Sequence, residues 1–253
     1  MSLETQIASL VGASNNLTGA VNGKMGQIDA KVAQAEARFD QNMELMKNRL
    51  PRLAVTRNFI MNPVAAGTYP EFFGFHQEIS WSRIAQISNL SEAAGRPASD
   101  IALLAQIEAD VKEQFPDFNI GKSSYYRSAF GVWQLAWSKL AEPQSSNYIA
   151  YPAAADGSQT LGVSSVPMNS YLTVGAFVKV VDGEIYSSWG SGSVKGKWRW
   201  CSVVMEPAAP FASYIHLHPK RASSSGVIQC ALVGAATGVI SHPNHWGAMM
   251  SLG

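Results

Sequence analysis

The sequence predicts an α+β protein with three successive parts. A helical coiled-coil segment occupies residues 1–50, a mixed α/β connecting domain residues 51–144, and an antiparallel β-sandwich residues 145–253. Three observations carry this. Apolar residues recur with a heptad period from Leu3 towards Leu53. A second, shorter helical pattern ends at Pro116. From Tyr151 onward, short alternating stretches are separated by Gly, Pro and Ser turns, the signature of strands packed into a sandwich or barrel.

The heptad seam runs Leu3, Ile7, Leu10, Leu17 and Val21, with Ser14 filling one slot. It resumes at Met25, Ile28, Val32, Ala35, Phe39 and Met46, with Asn42 filling another, after a one-residue skip between Val21 and Met25. A sustained 3.5-residue period belongs to helices that wrap around copies of each other. The plainer alternative is one amphipathic helix lying on its own domain, but so narrow a stripe has little to bury it. Gly12, Gly19, Gly23 and Gly26 weaken the first half, each by about 0.8–1 kcal/mol relative to alanine, which predicts a broken or irregular helix there. From Ile28 to Leu50 there is neither glycine nor proline, and Lys47 and Arg49 suit a helix C-terminus. Pro51 closes the element.

Beyond it, Leu53–Met61 reads as a strand ending at Asn62-Pro63, and Gly67, Tyr69 and Pro70 as a loop. The stretch from Glu71 to Ile87 is rich in aromatics. Ile101, Leu104, Ile107, Val111 and Phe115 fall near one face of a helix that Pro97 or Ser99 starts, with Asp100 in its first turn and Glu108 and Lys112 as an i,i+4 pair. Tyr125–Leu140 fits a strand better than a helix because of Gly131. The polar run Glu142–Asn147 marks the boundary between parts. Tyr171–Val181 places Leu172, Val174, Ala176, Val178 and Val180 on one strand face. Asp182-Gly183 predicts a hairpin turn with Glu184–Trp189 returning. Lys197–Met205, Phe211–His218 and Gly226–Val233 read as further strands.

The 253 residues carry a net charge of +1, so no strong nucleic-acid or membrane field is expected. Charge is concentrated near the start, with nine charged residues among the 29 from Asn22 to Leu50 and ten among the 103 from Tyr151 to Gly253. So charge-poor a C-terminal part implies covered surface, for instance by subunit contact. No apolar run is long enough to cross a membrane, and the N-terminus lacks the basic start and apolar core of a signal peptide. Cys201 and Cys230 form no metal motif; both read as small buried hydrophobes, with a disulfide between them left open.

Three groups of residues are candidates for chemistry. On a strand, His216 and His218 share a face. The pair supplies two metal ligands, and a threefold axis would bring six, suited to an octahedral transition metal; the plainer reading is two solvent-facing or interface histidines. His242 and His245 in the C-terminal loop are a weaker addition. Trp198 and Trp200 share one strand face, with Lys197 and Arg199 on the other and Trp189 nearby in sequence. Exposed indoles are platforms for the C–H faces of sugars, whereas buried ones are core, the more usual state of tryptophan. Signals of catalysis are sparse. The nucleophile elbow, phosphate loop, His-Glu-x-x-His and dinucleotide glycine patterns are all missing from the sequence. Glu108 and Asp110 read as helix-surface carboxylates, and the last 103 residues hold four carboxylates, Asp156, Asp182, Glu184 and Glu206, few for the paired carboxyls of a glycosidase.

The run Asn16-Leu-Thr-Gly-Ala-Val-Asn-Gly-Lys-Met-Gly-Gln-Ile-Asp-Ala-Lys-Val resembles the repeat-like segment near the start of tailed-bacteriophage fibre proteins. Arg57-Asn-Phe-Ile-Met-Asn-Pro is similar to the segment by which many such fibres enter their first folded domain. The resemblance covers about residues 3 to 63. It implies a non-enzymatic homotrimeric virion fibre, assembled in the host cytoplasm. Its N-terminus would join other tail, baseplate or collar proteins, and its distal part would bind host surface polysaccharide or protein, with neither nucleic acid nor membrane insertion involved. Some fibres of this class hold metal ions on the trimer axis through His-x-His pairs, and His216 and His218 have that spacing. The alternatives are a collar, baseplate or head decoration fibre that only connects virion parts, and a tailspike-like polysaccharide depolymerase.

Overall fold

A computed structural model describes residues 2–49, 52–140, 147–155, 165–167, 170–206, 214–248 and 250–251. It divides into two units, Met1–Leu50 and Pro51–Gly253. The first is a single α-helix, α1 (Leu3–Arg49), of 47 residues, about 70 Å long at 1.5 Å per residue. The helix runs unbroken through Gly12, Gly19, Gly23 and Gly26, so the irregularity expected there is absent. Glycine lowers helix propensity without removing a hydrogen bond, and proline, which does remove one, first occurs at position 51.

The described residues of the second unit form thirteen strands and one α-helix. The strands are β1 (Leu53–Ala54), β2 (Phe73–Phe75), β3 (Ser80–Ile87), β4 (Phe130–Trp137), β5 (Ala150–Pro152), β6 (Ser165–Pro167), β7 (Leu172–Asp182), β8 (Ile185–Tyr186), β9 (Trp198–Met205), β10 (Tyr214–His216), β11 (Lys220–Arg221), β12 (Gly226–Thr237) and β13 (Met250–Ser251), and α2 (Ala98–Lys112) precedes β4. Five of them form an antiparallel sheet in the order β9-β7-β12-β4-β3. Where β4 ends, β1 takes its place beside β12, pairing Ala54 with Ala236, and β13 lies parallel to β1.

This arrangement corrects two expectations. The sheet draws β3 and β4 from before residue 144 and β7, β9 and β12 from after it, so the chain does not divide at 144. The polar run placed there lies largely outside the described residues. Nor, among the described residues, does a second sheet face the first: the remaining described strands form two-stranded ribbons, β2–β5, β6–β10 and β8–β11. The central sheet instead has a hydrophobic core on each face. On one, Val174, Ala176 and Val178 of β7, Trp133 and Leu135 of β4 and Cys230 of β12 pack with Trp189 and Leu217. On the other, Phe177, Trp198, Trp200 and Val132 pack with Leu104, Ile107 and Val111 of α2 and with Trp246. Strands covered on both sides read as nearly continuous apolar runs, as in β7, buried from Leu172 to Val178.

The expected hairpin at Asp182-Gly183 also resolves differently. Gly183 has the positive φ of a turn (75°), but the chain after it forms β8, which pairs with β11. Both sides of β7 are already taken, by β12 and β9. The open edge of β9 is covered in part by α2. Asp110 accepts the Trp198 N–H at 3.0 Å and Gln114 accepts the Trp200 N–H at 3.1 Å. Side-chain caps of this kind keep an edge strand from pairing with another chain. Asp110 is therefore a structural cap. Asp100, for its part, accepts the Ser88 N–H at 2.8 Å.

Candidate functional site

A cleft of about 1080 Å³ opens in the second unit between the loop after β1, the segment after α2 and the C-terminal 3-10 helix Pro243–Ala248. Its first wall is the run Arg57–Asn62. Asn58 and Met61 stand in the left-handed region, with φ of 52° and 56°. The Asn58 side chain closes the loop: its amide donates to the carbonyls of Asn62 (2.8 Å) and Glu71 (2.7 Å), and its oxygen accepts the Asn62 N–H (2.8 Å). Met61 is buried, and its carbonyl accepts the Trp133 indole N–H at 2.9 Å. Gly131 donates its N–H to Ile60, and a Cβ at that position would lie 2.5 Å from the Met61 carbonyl oxygen, so this close approach requires glycine.

The same loop sets the cleft mouth. By holding the Glu71 carbonyl, Asn58 fixes the chain just before Phe72, itself left-handed at φ 59°. A positive φ is unusual for so bulky a residue. The Phe72 carbonyl accepts the Ala153 N–H at 2.8 Å, and its ring is 45 % exposed, with the Arg57 guanidinium carbon 5.1 Å from the ring centroid.

The second wall is the segment 118–128, tied to α2 by charge. Glu108 is buried, and its carboxylate meets Lys112 at 2.7 Å and Lys122 at 3.1 Å. Burial opposes its ionisation, but hydrogen bonds from the two lysines outweigh this and hold the carboxyl below its ordinary pKa. The surface placement expected for Glu108 is thus corrected. Arg96 donates to the carbonyls of Lys122 and Ser124 and lies over the Tyr126 ring, 4.1 Å from its centroid. The Tyr126 hydroxyl in turn donates to the Ile120 carbonyl at 2.8 Å. This segment, tied down by these contacts, presents Tyr125, 67 % exposed, and Arg127 at the mouth.

The third wall is knitted to the second. Asn244 accepts the Asn119 N–H at 2.9 Å and donates to the Asp117 carbonyl at 3.2 Å. His242 Nδ1 accepts the Asn244 N–H, which leaves Nε2 as the protonated nitrogen facing the Asp117 carboxylate at 3.0 Å. That contact holds the Asp117 carboxyl below its usual pKa. The floor is apolar, with Phe59, Phe118, Phe130 and Phe177 beside Leu232, a third lining residue with positive φ (52°), set where β12 shifts register against β7. Glu71 is the one carboxylate among the described lining residues, so the paired carboxyls of a glycosidase are not assembled in this cleft.

The residues singled out from sequence lie elsewhere. Trp198 and Trp200 do share a face, but α2 covers it, and they are 0 % and 5 % exposed. Trp189 is fully buried on the opposite face of the sheet and donates its indole N–H to Leu217 at 3.0 Å. The three indoles therefore form no exposed platform for sugar. His218 lies beyond the end of β10, its ring 5.4 Å from that of Tyr148 and 6.4 Å from that of Tyr151. The shared strand face expected for His216 and His218 does not extend to His218, and the His216 side chain is outside the described residues. Among the described residues, no group of three or more His, Cys, Asp or Glu is placed to hold a metal ion. Cys201 and Cys230 are free and buried in one core. Burial pushes the Cys201 thiol up to about 12 and raises Cys230 as well, which leaves both unreactive.

In α1, the seam residues Leu3, Ile7, Leu10, Leu17, Val21, Met25, Ile28, Val32, Ala35 and Phe39 are all exposed, several by more than 60 %. The Met46 side chain is outside the described residues. Sequence reading missed Phe72, Tyr125, Arg57 and Arg127 as site residues. The run beginning at Arg57 reads from sequence as the end of a strand and as a resemblance; β1 stops at Ala54, and the run forms a cleft wall instead. Comparison of the chain with protein-family models, curated proteins and solved structures returned no match.

Proposed function

We propose that this chain is a non-enzymatic subunit of a homotrimeric virion fibre of a tailed bacteriophage, which carries the particle to its host surface. The observation that carries the reading is the exposed seam of α1. Ten described seam positions along a 47-residue helix are exposed, with a regular heptad spacing interrupted by one skip. An apolar stripe of that length is an unpaired half of an interface, and copies of the same helix are the partner its periodicity suits. The N-terminal resemblance supports three copies, with this end joined to other virion proteins. The unit Pro51–Gly253 then supplies host contact through surface polysaccharide or protein, and its cleft is the receptor site. Three such sites on one fibre convert weak contacts into firm attachment through effective concentration.

The test is attachment of labelled full-length chain to a panel of bacterial cells, against the double variant Ile28→Asp, Val32→Asp. The wild type is expected to bind a subset of strains and the variant to lose about 10²-fold or more in apparent affinity as avidity is removed. Wild-type protein that binds no strain while capturing purified tail, collar or baseplate protein would favour the purely connecting role instead. Release of reducing ends from host polysaccharide would favour the depolymerase.

A further inference from the structure

We infer that the cleft takes a short acidic saccharide, two or more rings long and carrying a carboxylate; this rests on the receptor-binding reading above. Size is the first argument. About 1080 Å³ lies just beyond the usual range of small-ligand pockets, which run to about 1,000 Å³, and the cleft is open at its mouth, so an oligomer fits better than a single small molecule. Charge is the second. Arg57 and Arg127 line the cleft against the single carboxylate of Glu71, and no ion pair joins any of the three to another described residue. A guanidinium offers a carboxylate two parallel donors. The excess of positive charge selects an anion, and the planar fork suits a carboxylate better than a point cation would.

The aromatic side chains give the third argument. Phe72 and Tyr125 are the exposed rings at the mouth. Their electron-rich faces accept the C–H surfaces of pyranose rings while the hydroxyls stay wet. The cleft is built at a cost: the backbones of Asn58, Phe72 and Leu232, which line it, are left-handed, three of the six non-glycine residues with positive φ among those described. Outliers that the surrounding structure over-determines gather at functional sites, and the Asn58 hydrogen bonds hold the loop and the chain just before Phe72. Arg57 is oriented by the Phe72 ring and by the Ala155 carbonyl, 3.4 Å from its Nε. Its direction is set before a ligand arrives, which reduces the entropy lost on binding.

The experiment uses full-length chain on an array of uronic-acid oligosaccharides of two to four rings, each paired with its carboxyl-reduced neutral counterpart. Arg127→Gln, at an exposed side chain, and Tyr125→Ala are tested beside the wild type, and cell attachment is scored in parallel. The expected result is retention of acidic members over their neutral counterparts. Arg127→Gln should weaken that binding by about 10- to 100-fold, and Tyr125→Ala should weaken both forms. Equal binding of acidic and neutral members, or unchanged binding by Arg127→Gln, overturns the acidic-saccharide assignment. Cell attachment that persists with no saccharide bound and with both variants unimpaired also overturns it and leaves the receptor-binding reading standing. Loss of cell attachment by the wild type would instead sink that reading itself.

Discussion

The helix α1 and the unit Pro51–Gly253 use apolar side chains in opposite ways. In the second unit, large residues vanish from solvent: Trp133, Trp189, Trp198 and Trp246 are all fully buried, two in each of the cores flanking the sheet. In α1, every described side chain is exposed, including Leu3, Leu10 and Leu17. The same residue types therefore carry different information. Within the second unit they specify contacts that the chain satisfies by itself. Along α1 they are left exposed; under the proposed assembly copies of the chain cover them, so the stability of the two parts should depend differently on protein concentration.

The largest separation of the two parts is expected from charges placed on the seam. Ile28→Asp with Val32→Asp should abolish assembly while leaving the melting of the second unit unchanged, as measured by calorimetry and sedimentation on the same samples. Trp133→Ala should do the reverse, costing about 3–5 kcal/mol in the second unit without changing the assembled mass; denaturant titration measures it. A shared effect of either substitution would mean that the two parts are not independent.

A smaller effect is expected from pH. The Glu108 carboxyl is held below its ordinary value by Lys112 and Lys122. It therefore contributes stability that is present above the unfolded-state value, about 4.3, and is lost as pH falls through the lower folded value. Glu108→Gln should lower the melting temperature of the second unit at pH 7 and flatten its decline towards pH 3. Because Glu108 anchors the wall that holds Tyr125 and Arg127, the variant should also weaken ligand binding at neutral pH. The smallest effect is expected in α1. Gly12, Gly19, Gly23 and Gly26 lie off the seam, and a Cβ on any of them meets nothing within 4 Å. Alanine at each should raise helix stability by about 0.8–1 kcal/mol, read as helicity by circular dichroism, with the assembled mass unaltered.

The sequence carried local structure well and long-range structure poorly. The helices α1 and α2 and the alternation in β7 were legible because their periods repeat within a dozen residues. The central sheet was not, because β4 and β12 meet across nearly a hundred residues of chain, as in the pairing of Trp133 with Cys230, and nothing local encodes which strand takes which side. The shared face of Trp198 and Trp200 was legible, but its burial depends on α2, which is distant in sequence. The cleft was the least legible part. Its shape depends on left-handed conformations at Asn58, Phe72 and Leu232, and no glycine marks those positions.

The central claim is that α1 is one strand of a homotrimeric interface, and the solution mass of the full-length chain tests it most directly. Light scattering after size exclusion should give three times 27.2 kDa for the intact protein. It should give a single folded copy when α1 is removed. An intact chain that elutes as a monomer of 27.2 kDa would contradict the account, because the exposed seam would then have no copies to cover it.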